Sequence, residues 1–475
     1  MLQFHRFSLV LSIATASALA GHAHAGTWEF APSMPAPKAS SFAVNFNGAI
    51  YVIGGAPWMN GGDQDGSVYK FTGGAWTSAA PLTGMGPVLG QGGGVDSLNR
   101  IIVFGGLTTP DGDIAEGRAY EPVGGPYLTI PQVPVTIPPQ NFGLAVDGQH
   151  RIYRLGGGCD DCLVNYGGCV RYDATTNSWQ ALAYLPYTRS SMAATYDGQG
   201  HIWGFGGYTS FGLPRIYDTI RYTIATNTWE TLGSLFLPVQ TSDARAALGA
   251  DGRVYMIGGL AGAYTGIPTS TVYVLDPTSP DPVLTYAPPL NVARYDFAVA
   301  LGNDNYLYVM GGVGASGALS SVERLYTAPC PTIGSQSSSQ AVAVGQNVTL
   351  AATASGGAPL SYQWERNGAA LVNGATGHGS TIAGATSLSL TITNFAAADA
   401  GTYTMTAANP CGTDTTGDIV LTVPMLGDLN HDHVVNASDL GILLGAWGTT
   451  NATADLNGDG SVDAQDLAIL LGAWS

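Results

Sequence analysis

Two stretches near the C-terminus space oxygen-bearing residues as a hard cation needs them. Asp428-Leu-Asn430-His-Asp432-His-Val434-Val-Asn436-Ala-Ser-Asp439 offers side-chain oxygens at loop positions 1, 3, 5 and 12, with Val434 placed to give a backbone carbonyl. Asp455-Leu-Asn457-Gly-Asp459-Gly-Ser461-Val-Asp463-Ala-Gln-Asp466 repeats the pattern 27 residues later. Calcium takes six to eight oxygens at about 2.4 Å, and a twelve-residue loop of this spacing wraps them around one ion. The expected ligands are therefore Asp428, Asn430, Asp432, Val434 and Asp439 in one loop, and Asp455, Asn457, Asp459, Ser461 and Asp466 in the other. Two calcium ions are expected. Position six of the first loop is His433, where glycine usually takes φ > 0. Histidine there costs roughly 1–2 kcal/mol, so the first loop is expected to bind calcium more weakly.

Other groups with chemical potential are scattered. Cys159, Cys162 and Cys169 form a C-x2-C-x6-C set that lacks the fourth ligand of a structural zinc site. A disulfide from Cys159 or Cys162 to Cys169 is the expectation there. His150 and His201 precede two similar strands, and their similar positions predict two imidazoles side by side on neighbouring turns. Copper favours imidazole, but the two histidines have no matching tyrosines and no cysteine crosslink, so copper oxidation is not expected.

The elements that must hold these residues show in glycine pairs. AIYVIGG ends at Gly54-Gly55, RIIVFGG at Gly105-Gly106 and RIYRLGG at Gly156-Gly157; HIWGFGG, RVYMIGG and YLYVMGG end at Gly206-Gly207, Gly258-Gly259 and Gly311-Gly312. The spacings are 51, 51, 50, 52 and 53 residues. A period near 50 built of short strands predicts one four-stranded sheet per repeat, arranged as a propeller. Two glycines end each second strand where close backbone packing leaves no room for Cβ. The last repeat lacks a fourth strand, and Thr27-Trp28-Glu29-Phe30 is expected to supply it.

Over residues 26–328 these motifs closely resemble the kelch-repeat family, which implies a six-bladed β-propeller. Alternation along the strands puts the loops joining strands two to three and four to one on one face. There the sequence places Asp63, Asp65, Asp111, Asp113, Glu116, Asp160 and Asp161 in the first three repeats, and Arg189, Arg215, Arg245 and Arg294 in the last three. In kelch adaptors such loops line the partner-binding face, so the four arginines are the expected ligand face of an electrically polarised mouth. Paired carboxylates also suit acid–base sugar chemistry, which makes Asp63, Asp111 and Asp160 weak catalytic candidates.

Residues 329–424 carry alternating strands, NVTLAAT, SYQWERNG, SLSLTIT, GTYTMTAAN and DIVLTV, at the intervals of a sandwich. Trp364 and the run from Asp399 to Tyr403 make the segment resemble an immunoglobulin domain, with Trp364 as the buried tryptophan and Tyr403 as the tyrosine corner. The positions of the usual inter-sheet bridge are Ala352 and Met405, so Cys330 and Cys411 are expected to form a substitute. Residues 425–475, a duplicated loop followed by LGILLGAW or LAILLGAW, resemble the dockerin family. That resemblance implies docking to a cohesin-like or cell-surface protein, with Ala437, Ser438, Ala464 and Gln465 at the partner-contacting positions.

A weakly basic start, the apolar run of residues 7–20 and Ala23-His24-Ala25 read as a secretory signal cut after Ala25. The chain of 475 residues has a net charge of −17 and only 10% charged residues, with 45% hydrophobic ones. Its few, dispersed lysines and arginines exclude a nucleic-acid surface, and beyond the leader no apolar run of about 18 residues predicts a membrane span. The organisation is mainly β: a six-bladed kelch-type β-propeller, an immunoglobulin-like β-sandwich and a small α-helical dockerin with two calcium loops. It resembles secreted bacterial proteins of planctomycete style. The expected function is extracellular binding or adhesion, with the propeller as a platform for a glycan or a protein. The alternatives are a carbohydrate-active enzyme with its active site at the propeller mouth, and a structural envelope component.

Overall fold

The computed structural model describes residues 26–57, 66–82, 90–108, 112–113, 117–122, 128–134, 140–159, 164–209, 214–432 and 434–474. The expected leader, with its cleavage after Ala25, lies outside them. The chain divides into two compact units, Met1–Cys330 and Pro331–Ser475. Both are mainly β, and the two α-helices among the described residues, α1 (Ala437–Gly445) and α2 (Ala464–Gly472), are short. No helix among the described residues is long and apolar enough to cross a membrane.

The first unit holds six four-stranded antiparallel sheets, each open rather than closed on itself. Their first strands are Phe42–Phe46, Gly92–Val95, Gly143–Val146, Ala193–Tyr196, Arg245–Leu248 and Ala298–Leu301. Each of these strands neighbours the next, and the sixth neighbours the first. Glu29–Ala31 pairs with Val322–Tyr326 and is the outer strand of the sixth sheet.

Apolar residues at alternate positions of the strands pack between sheets rather than within them. One buried cluster joins the first and second sheets through Ile53, Val68, Ile101 and Val103. Equivalent clusters lie between each later pair, and Val52, Tyr69, Tyr308 and Met310 join the sixth sheet to the first. Burial of these side chains is the dominant favourable term in holding the sheets together. Hydrogen bonds add direction. The indole nitrogens of Trp28, Trp76, Trp179 and Trp229 donate to Pro288 O, Pro32 O, Pro131 O and Ala183 O, each a carbonyl that follows the outer strand of the preceding sheet, at 2.7–3.1 Å.

The glycine pairs lie where the backbone of the neighbouring segment comes closest. Gly206 and Gly311 have φ of +58° and +66°. A Cβ there would sit 2.1 Å from Thr241 O or 2.3 Å from Lys38 O, so both conformation and space require glycine.

In the second unit two sheets enclose a core around Trp364, Tyr403, Leu350 and Ile392. Trp364 Nε1 donates to Ser387 O at 2.8 Å, and Tyr403 Oη donates to Asp399 O at 2.6 Å. The second of these bonds ties the strand back to the preceding turn as a tyrosine corner does. Ala352 and Met405 are buried in this core, where apolar contact replaces a bridge. Cys330 and Cys411 are both disulfide-bonded.

Cys169 departs from expectation: it is a buried free thiol. Its strand places it opposite Leu155, and its side chain packs among Leu155, Leu182 and Leu185. The expected cross-hairpin disulfide to Cys169 is therefore not formed, and burial pushes the free thiol up to about 11. Cys162 lies outside the described residues.

Candidate calcium centres and an axial cavity

The two loops and their helices are built alike. Asn436 and Asp463 cap α1 and α2, each side chain accepting from the backbone two residues on. The position-twelve carboxylates close both helix and loop. Asp439 Oδ2 accepts from Asn436 N at 2.9 Å, while its Oδ1 accepts from Leu429 N and Asn430 N. Asp466 receives Asp463 N, Leu456 N and Asn457 N in the same way. Burial raises the affinity of Asp439 for a proton, but these backbone donors outweigh it and hold the carboxyl below its ordinary range. For Asp466 the donors lead, and the shift is also downward.

The ligating oxygens of Asp428, Asp432 and Asp439 lie within 4.8 Å of one another, a spread that one calcium ion spans. Asn430 Nδ2 donates to Asp432 Oδ2, and Asn457 Nδ2 donates to Asp459 Oδ2, both at 2.8 Å, so the middles of the two loops match as well. The oxygen-only donor set fits calcium. His433 lies outside the described residues. The structure adds a strained position the sequence reading missed: His431, at loop position four, has φ +63°, where the second loop has Gly458 at φ +73°. Between the halves Leu443 packs with Leu470 and Val435 with Val462 in one small core. Ala437, Ser438, Ala464 and Gln465 are exposed at the first turns of the helices.

The expected ligand face is corrected. Arg189 and Arg294 are 0% exposed. Arg189 donates to Gly206 O and to Asp218 Oδ2; Arg294 donates to Gly311 O, Ser321 O and Glu323 Oε1. Lys38, also buried, donates to Gly54 O at 2.9 Å. These cations satisfy carbonyls freed where the second strands end in glycine pairs, which explains their recurrence just before strand one. Arg215 is buried too, donating to Ser242 Oγ and to Gly262 O and Tyr264 O. Only Arg245 is partly open, paired with Asp296 at 2.9 Å.

Of the candidate acids, Asp63, Asp65, Asp111, Glu116, Asp160 and Asp161 lie outside the described residues. Asp113 is described only as part of the short strand Gly112–Asp113. The histidines are not equivalent, another correction. His150 occupies a left-handed turn position, φ +58°, that Asn99 and Gly200 fill elsewhere. His201 comes one step later in its hairpin, with Nδ1 3.0 Å from Asp197 Oδ2.

What the sequence reading missed is a column of residues just before each first strand. Ser40, Gly90, Asn141, Ser191, Asp243 and Asp296 all have φ of +50° to +64°. Their amides and carbonyls link into a chain: Gly90 N to Ser40 O, Ser40 N to Asp296 O, Asp296 N to Asp243 O, Asp243 N to Ser191 O, and Ser191 N to Asn141 O. An alignment of the six strand-one starts would have exposed this column of left-handed-tolerant residues. The six first strands enclose a cavity of about 560 Å³ whose lining mixes Ala and Gly with Val, Leu and Phe and includes Asn141, Ser191, Asp243, Arg245 and Asp296.

Asp296 accepts from Ser40 Oγ and Arg245, and Asp243 accepts from Ser242 Oγ at 2.6 Å. Burial raises the Asp243 carboxyl, against the hydroxyls of Ser191 and Ser242, and nearby Asp296 adds to the rise. Tyr208 and Tyr295 are raised by burial first, then by the charges of Asp243 and Asp296 respectively. The Arg215 guanidinium lies 5.0 Å from the centre of the Tyr208 ring.

Among protein families, residues 331–409 match the model of the immunoglobulin domain and residues 426–472 that of the dockerin type I domain. No curated protein matches the chain. A solved structure titled "Structure of YjhT" is similar in fold, at TM-score 0.51 and 16% identity, over 64% of this chain and 97% of that one.

Proposed function

We propose that this chain is an extracellular calcium-binding display protein. A C-terminal dockerin domain fastens it to a cohesin-type scaffold, and an N-terminal six-bladed kelch-type β-propeller presents a ligand-binding face. What supports the first half is the pair of similarly capped loop-helices, with Asp428, Asp432 and Asp439 of the first loop gathered as a calcium site requires, within a region matching the dockerin type I model. Dockerins act by gripping a cohesin, which makes attachment the job of residues 425–475. Ala437, Ser438, Ala464 and Gln465 are the proposed contacts. A leader ending at Ala25 fits the same destination, as does the disulfide, which persists in oxidising compartments; Cys330 with Cys411 is the proposed pairing.

The propeller reading draws support from the cyclic order of the six first strands, the apolar cluster between each pair of sheets and the strand given to the sixth sheet from the N-terminus. A carbohydrate-active enzyme is the second reading. It is favoured by the carboxyls Asp243 and Asp296 standing together in unlike settings, one raised by burial and the other paired to Arg245.

Calorimetry on the full secreted chain tests the attachment. Two equivalents of calcium are expected, and Asp455→Ala with Asp466→Ala removes one of them. Capture by an immobilised type I cohesin is expected to need calcium. An unchanged titration in the double variant contradicts the ligand assignment.

A further inference from the structure

We infer that the end of the axial cavity marked by Asp243, Asp296 and Arg245 is a binding site for a neutral saccharide. This rests on reading the N-terminal unit as a ligand platform and says which ligand and where.

The cavity is the first reason. At about 560 Å³ it falls in the range of roughly 300–1,000 Å³ typical of small-ligand sites. Small residues, among them Ala43, Gly92, Ala145, Ala194, Ala246 and Ala298, recur along the strands that line it.

Its polar groups are the second reason. They are carboxylate, guanidinium, hydroxyl and amide, from Asp243, Asp296, Arg245, Ser191, Asn141 and Gln91, the set that exchanges hydrogen bonds with vicinal hydroxyls. They stand ready-placed: Ser40 and Arg245 fix Asp296, while Ser242 fixes Asp243 and is itself held by Arg215 Nε at 2.7 Å. Gln91, which also lines the cavity, is buried, and its Oε1 has no hydrogen-bond partner among the described residues. A buried acceptor left unmet carries a cost that a ligand hydroxyl would remove.

Charge decides between kinds of ligand. Among the described residues at this end, Arg245 is paired with Asp296 and no unpaired cation lines the cavity, so nothing there selects a phosphate or a sulfate. A chain of net charge −17 also repels polyanions over longer range. Aromatic rings complete the surroundings. Tyr187, Tyr217 and Tyr264 are exposed and lie in loops joining strands four to one or two to three, the end of the sheets where Asp243 and Asp296 also sit. Flat exposed rings at that end of the sheets suit the C–H faces of sugars.

The test uses the full secreted chain with calcium present. Probes are cellohexaose, xylohexaose and mannohexaose, with polygalacturonate and heparin as polyanions and a random-peptide display library as the protein arm. Binding is read by calorimetry and saturation-transfer NMR. At least one neutral hexaose should bind. Ser191→Ala, which removes a hydroxyl from the cavity lining, should weaken it roughly 3- to 10-fold, the effect of one hydrogen bond, and Arg245→Ala more. Tyr264→Ala, at an exposed position that cannot disturb the core, should weaken it while leaving thermal unfolding unchanged. The inference is overturned if no neutral hexaose binds, if the polyanions bind instead, or if all three variants bind sugar as the parent does. Peptides selected by the library whose binding is lost in Arg245→Ala would overturn the saccharide while leaving the platform reading intact. A chain that retains no probe of any class, yet still docks through its calcium loops, overturns both.

Discussion

Arg294 shows how residue type misleads when its setting is unseen. An arginine in a loop reads as a surface cation, yet here it is enclosed with Glu323 at 2.7 Å and bonded to the Gly311 carbonyl. Removing one member of such a buried pair strands the other, at a cost of about 3–5 kcal/mol. Arg294→Ala should therefore lower the unfolding free energy of the N-terminal unit by that order in chemical denaturation. Asp243 predicts a pH effect. Its folded carboxyl binds a proton more tightly than in the unfolded chain, so its contribution favours the fold at low pH and is lost as pH rises through the folded value. Asp243→Asn should thus raise the melting temperature at pH 7 by more than at pH 4, and an equal shift at both would contradict the assignment. The calcium carboxylates were legible because their spacing is itself the chemistry. Asp243 and Asp296 were not, because 53 residues separate them and only the sheets bring them together.

At the scale of elements, the period of glycine pairs was enough to place each second strand, since both the left-handed φ and the missing Cβ are local demands. The tryptophans of the outer strands, Trp28, Trp76, Trp179 and Trp229, each tie their sheet to the one before it. Each indole reaches back to the carbonyl that ends the previous sheet's outer strand. Trp229→Phe keeps the apolar packing against Tyr222 but deletes the bond to Ala183 O. A loss of about 1 kcal/mol is expected, measured by urea unfolding. Loop-borne groups were least legible. The hairpin offset of His201 against His150 depends on one residue in a turn, and the burial of Arg189 depends on a glycine carbonyl 17 residues away.

For the whole molecule, the first unit depends on its N-terminal strand. Glu29–Ala31 supplies the outer edge of the sixth sheet, and Trp28 belongs to the apolar cluster between the fifth and sixth sheets. Deleting residues 26–31 should lower the melting temperature of that unit without altering calcium binding by the C-terminal loops, as calorimetry of the truncated chain would show. Dockerin attachment and ligand recognition should therefore be separable by mutation.

The pairing of Ala31 with Val322 also sets an order of events. Ala31 emerges from the ribosome long before its partner Val322, nearly three hundred residues behind it. Until that partner arrives, the sixth sheet lacks its outer strand and Trp28 has no cluster to enter. Such a distant contact makes the final step of folding slow. A chain that crosses a membrane before folding would meet this delay on the far side, with one open edge exposed to its neighbours until the two ends meet.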